Sequence, residues 1–130
     1  MNARELMIGD LVRIKDLKDP IKRLVCVDEY LGKVDFLDGE ELIVTSINNV
    51  LPIQLTGEIL EKNGFKKDER NENYYKWNWY ILEDNASYDM ETGIVRIFNA
   101  SNLTFCHPIG YVHELQHALR LCGVEKEITI

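Results

Sequence analysis

The spacing of apolar positions changes partway along the chain, from short alternating runs to a mixture of alternation and helical repeats. In Leu6-Met7-Ile8-Gly9-Asp10-Leu11-Val12-Arg13-Ile14 a Gly-Asp corner precedes an alternation, with Leu11 on one face and Val12 and Ile14 on the other. Asp19-Pro20 marks a turn, and Arg23-Leu24-Val25-Cys26-Val27 is β-branched enough for a strand. Tyr30 to Leu37 reads as another strand, with Gly32 as a bulge or bend. Asp38-Gly39 is a hairpin signal leading into Glu41-Leu42-Ile43-Val44. Ile47, Val50 and Ile53 close the segment, with Pro52 at an edge or exit. Such a run of short strands predicts a small SH3-like β-barrel, because closing the sheet protects its edges. An open meander packed on the second half is the alternative.

From residue 56 the signals turn helical. Thr56 is placed as an N-cap, Leu55 and Leu60 as a hydrophobic staple, and Glu58 suits the positive helix end. Gly64 supplies a left-handed C-cap, and Phe65 returns to the core. Residues 66–73, mixed in charge, read as a solvated loop. Three strands follow: the aromatic run Tyr74 to Leu82, then Ile94 to Phe98, then Leu103 to Cys106, which His107-Pro108 breaks. A last helix occupies the region of residues 111–123, and Glu127 to Ile130 offers a final strand. The prediction is an α+β protein, with residues 1–55 a small barrel-like β subdomain and 56–130 an αβββα segment, the two sharing one compact unit.

The last helix holds His113-Glu114-Leu115-Gln116-His117, a literal H-E-x-x-H. That spacing puts two imidazoles on one helix face, where they can share a zinc ion, and the Glu can act as general base on a metal-bound water. A catalytic zinc also needs a third protein ligand, which zinc proteases take from downstream. Here Gly123 stands where the extended motif has its third His; of the other candidates Cys122 and Glu125 are too close in sequence, His107 would have to fold back along the helix, and Glu127 remains downstream. On a helical wheel Tyr111, Val112, Leu115, Ala118, Leu119 and Cys122 fall within about 120°, and His113, Gln116, His117 and Arg120 lie opposite. The wheel therefore predicts accessible histidines beside a repelling Arg120. It favours no catalytic residue, no metal and no cofactor. The enzyme alternative is a minimal zinc hydrolase with His113 and His117 as ligands and Glu114 as base.

Composition adds limits. The net charge of −7, with acidic residues in both halves, disfavours nucleic acid as the main partner. No apolar run approaches a membrane span, and the N-terminus lacks the order of a signal peptide. Cys26, Cys106 and Cys122 form no motif and sit among apolar neighbours, as packed free thiols do, so a reducing cytoplasm is expected. Trp77 and Trp79 beside Lys66, Lys67 and Arg70 could stack single-stranded nucleic acid, although cross-strand packing is the commoner cause of such a strand. Lys15, Lys18, Lys22 and Arg23 are diluted by Asp16 and Asp19 and read as a solvated loop. Glu83-Asp84 and Asp89 to Glu91 bracket a loop that could hold a cation, but without the ligand spacing of an EF-hand.

The stretches Leu6 to Val12, Pro52 to Phe65 and Ile109 to Gln116, in that order, resemble a set of small uncharacterised proteins encoded by prophages and mobile elements of gut bacteria. Such sequences tend to read Val-His-Gln-Leu-Gln-Asn at the last helix. The resemblance thus implies that His113 and Gln116 belong to the pattern, while Glu114 and His117 complete H-E-x-x-H by accident. It implies no activity or cofactor. The expectation is a non-enzymatic accessory or protein-interaction module with an unknown protein partner, its oligomeric state open.

Overall fold

The computed structural model describes residues 2–79 and 84–130. It divides into two compact units, Met1–Ile53 and Gln54–Ile130.

In the first unit, β1 (Leu11–Ile14), β2 (Ile21–Asp28), β3 (Lys33–Asp38), β4 (Glu41–Ser46) and β5 (Val50–Leu51) form one antiparallel sheet in the order β4-β3-β2-β1-β5. Its core is Val12, Ile14, Leu24, Val34, Phe36 and Val50, inward positions of the strands, together with Leu6 from the segment before β1. The Gly-Asp corner is built from hydrogen bonds. The Asp10 carboxylate accepts from the Met7 N–H at 2.8 Å, and the Gly9 N–H donates to the Leu24 carbonyl at 2.8 Å. Lys22 does not join a solvated loop. Its side chain is only 9% exposed, and its ammonium meets Asp38 at 3.0 Å and Asp19 at 3.7 Å. The hydrogen bond that Lys22 donates to Asp38 is the largest influence on its pKa and raises it above the ordinary value.

The expected barrel does not close. The end strands β4 and β5 do not pair with each other, so the sheet is open. The physical reason lies in β5, which is two residues long and stops before Pro52, whose nitrogen cannot donate to a ladder.

In the second unit, β6 (Lys66–Lys67), β7 (Tyr74–Asn78), β8 (Asn85–Asp89), β9 (Ile94–Asn99) and β10 (Asn102–Pro108) form another antiparallel sheet, in the order β10-β9-β8-β7-β6. Helix α1 (Gly57–Lys62) lies beside β6 and α2 (Val112–Leu121) lies against β9. Thr56 caps α1 as the sequence predicts, its hydroxyl accepting from the Ile59 N–H at 3.2 Å. Gly57 is required there because a Cβ would meet the Tyr75 hydroxyl and ring. No strand forms at the C-terminus. That segment is held instead by Asn63, whose amide donates to the Thr129 carbonyl at 2.7 Å and accepts from the Thr129 N–H at 2.8 Å, while Ile128 is fully buried.

The α+β expectation is therefore corrected to a β-rich fold of two five-stranded antiparallel sheets with two helices, of six and ten residues, among the described residues. Two strands of the second sheet were not legible. Lys66 and Lys67 form β6 against Tyr75 and Lys76 instead of a loop. The supposed cation-holding loop between the acidic pairs contains β8, the central strand. Tyr80, Ile81, Leu82 and Glu83, expected at the end of the aromatic strand and in that loop, lie outside the described residues.

Candidate functional site

Helix α2 begins after Tyr111, whose φ of −125° is extended. Glu114 stands at the third helical position, and its Oε1 accepts from the Gly110 N–H at 2.9 Å and the Tyr111 N–H at 3.0 Å. This is the carboxylate half of a capping box. The group that the zinc motif would use as general base is thus occupied with the helix start. A carboxylate there also faces the positive end of the helix dipole, which favours this role further.

The two histidines are placed differently from the wheel's expectation. His113 is 3% exposed and Gln116 is 7% exposed, both buried, and His117 is half-buried; Arg120 alone of that arc is exposed. The Tyr111 ring stacks on His113 with centroids 5.9 Å apart and planes 8° from parallel. His117 meets His113 edge-on at 5.6 Å. Val112, Leu115, Ala118 and Leu119 are buried as predicted, so the covered arc of α2 runs on past them through Gln116 to His113. Hydrophobic periodicity locates the centre of a buried face but not its width.

Chemically, the arrangement orients the His113 imidazole by stacking it on Tyr111. Among the described residues no group of three or more His, Cys, Asp or Glu side chains converges where it could hold a metal ion. His107, the upstream candidate for third ligand, is exposed on β10 and packs edge-on to Phe105 at 6.3 Å.

The aromatic strand is engaged inside its own unit. Trp77 lies 6.0 Å from Phe65 and 5.3 Å from Trp79, and the Lys126 ammonium sits 4.4 Å from the centre of the Trp77 ring. Burial lowers the Lys126 pKa from its ordinary value. The ring face that a nucleobase would stack on is thus shared with a lysine of the same chain, an intramolecular cation–π contact. Lys66, Lys67 and Arg70 are exposed, the lysines on β6 and Arg70 in the turn that follows.

Two features escaped the reading from sequence. Tyr30 and Leu31, expected to begin a strand, sit at the tip of the β2–β3 hairpin and are 96% and 61% exposed. Asp28 Oδ1 accepts from the Leu31 N–H at 2.9 Å and Gly32 has φ +63°, so the tip is a built turn. The pattern Asp-x-x-x-Gly was the available signal. Secondly, Cys26 and Cys106 are exposed, not packed among apolar neighbours as expected, and Cys122 is half-buried.

No family model, curated protein or solved structure matches this chain. What the residues define is a β-rich class, two open five-stranded antiparallel sheets with a capped C-terminal helix.

Proposed function

We propose that the protein is a non-enzymatic interaction module, an accessory protein of a phage or mobile element, that binds a protein partner through loops of its first unit. The observation that carries this reading is the β2–β3 tip, where a pinned turn holds Tyr30 and Leu31 outward. An exposed tyrosine beside an exposed leucine on a short, hydrogen-bonded turn supplies apolar area with little ordering cost on binding. Capping by Glu114 argues in the same direction, because it leaves the H-E-x-x-H segment a helix start. A cytoplasmic location belongs to the same proposal and rests on the free thiols; among the described residues no helix is long and apolar enough to cross a membrane.

The test is affinity capture from a gut-bacterial lysate with the wild-type chain and with a Tyr30→Ser/Leu31→Ser double variant of unchanged circular dichroism. The expected result is a protein retained by the wild type and depleted at least tenfold by the variant, as for loss of an aromatic anchor worth about 2 kcal/mol or more. Identical captures would overturn the reading.

A further inference from the structure

Among the described residues, the four edges of the two sheets are not treated alike. An edge strand offers unpaired backbone groups to other chains, and proteins blunt it with brevity, lysine, proline or a bulge. Three edges here carry such devices. β5 has two residues and ends at Pro52. β6 has two residues, both lysines. β10 has a bulge between Leu103 and Phe105 and ends in Pro108.

β4 has none of them. It runs six residues, Glu41-Leu42-Ile43-Val44-Thr45-Ser46, in unbroken register against β3. Leu42 and Val44 are each 55% exposed, and Leu37, directly opposite Leu42 on β3, is 50% exposed. The β3–β4 connection is a two-residue turn with Asp38 opposite Glu41 and Gly39 at φ +65°. In the alternation of an antiparallel ladder that starts from such a turn, Leu42, Val44 and Ser46 aim their N–H and C=O groups away from β3. Among the described residues none bonds to the Leu42 and Val44 groups, whereas Ser46 caps the 3-10 turn Ile47–Asn49 and its carbonyl accepts the first bond of that turn.

We propose that β4 is the site of self-association: a second copy of this chain adds its β4 antiparallel to this one, joining two five-stranded sheets across a two-fold axis. The sequence of the strand selects both the occupant and the register. Its acid, Glu41, lies at one end and its hydroxyls, Thr45 and Ser46, at the other. Antiparallel pairing about Ile43 sets Glu41 opposite the partner's Thr45 and Leu42 opposite the partner's Val44. The strand's acid then meets a hydroxyl, and each outward apolar side chain meets another. A slip of two residues one way sets Glu41 against the partner's Ile43. The same slip the other way spends Leu42 on the partner's Ser46. A slip of one turns the outward side chains to opposite faces. Leu37 extends the apolar contact beside the new pair. Each copy carries net charge −7, so the two repel through solvent, and added salt strengthens their association. This surface is separate from the hairpin tip at Tyr30 and does not depend on the function proposed for it.

The experiment is sedimentation equilibrium of the full chain from about 1 µM to 1 mM at low and high salt, a range that brackets weak association. The expected result is a concentration-dependent shift from the 15.1 kDa monomer toward twice that mass, stronger in salt. Val44→Lys places a cation at an exposed edge position and is expected to raise the dimer dissociation constant at least tenfold with circular dichroism unchanged. Ile43→Cys reads the register. It lies on the two-fold axis as a non-hydrogen-bonded pair, whose Cα separation of about 4.5 Å is within disulfide reach. Mild oxidation should yield covalent dimer well beyond that of the wild type, which controls for the exposed Cys26 and Cys106. A monomer throughout, or a dimer untouched by Val44→Lys, overturns the proposal. Should Val44→Lys fail to fold, absence of extra cross-linking in Ile43→Cys overturns it instead.

Discussion

The Tyr88 hydroxyl donates to the Ile109 carbonyl at 2.9 Å in the interior of the second unit. Burial, and then the negative charges of Glu114 and Asp89, push this phenol's pKa above its ordinary value. The folded state therefore holds the proton more tightly than the unfolded chain does. Its contribution is intact below the unfolded pKa of about 10 and is lost as pH rises through the higher folded value. Tyr88→Phe should cost about 0.5–1.5 kcal/mol at neutral pH, the net worth of a hydrogen bond, in urea unfolding. The gap between the two proteins should narrow above about pH 10, where only the wild type has this group to ionise. A gap constant across that range would refute the assignment. At the same scale, Glu114 and Asn63 show how single side chains close backbone ends, one at the start of α2 and the other at the C-terminal segment.

At the scale of elements, β8 makes the second sheet. Asn85-Ala86-Ser87-Tyr88-Asp89 has no β-branched residue, yet it is the middle strand, with β7 on one side and β9 on the other. Ala86 is fully buried, and its register partners are Trp77 and Ile97. A small residue is needed there because large ones flank it. Ala86→Leu should overpack this position and cost about 1–3 kcal/mol, measured as a lowered urea midpoint with unchanged slope. An unaltered midpoint would show that the centre of the sheet has room to spare. Propensity missed this strand because a central strand gains its stability from pairing on both edges and cover on its faces, neither of which is written in its own residues. The α1 boundary was legible for the opposite reason: Thr56, Leu60 and Gly64 act on backbone groups a few residues away.

For the molecule taken whole, the H-E-x-x-H match yields a prediction in solution. A site on the folded chain that held zinc at a hundredth of the free concentration would stabilise it by about 2.7 kcal/mol. With no third ligand converging among the described residues, zinc should leave the melting temperature of the wild type and of a His117→Ala variant equally unchanged. A rise confined to the wild type would restore the hydrolase reading.

The sequence by itself determined whatever local chemistry controls: the Gly-Asp corner, the Asp38-Gly39 hairpin, the Thr56 cap, and the Val112, Leu115 and Leu119 stripe of α2. These depend on backbone conformations and spacings within a few residues. Tertiary structure alone decided that the first sheet stays open, that polar β8 lies at the centre of the second, and that His113 and Gln116 are buried. Each of these depends on what covers or pairs with an element from a distant part of the chain, and alternation or helical period carries no record of that.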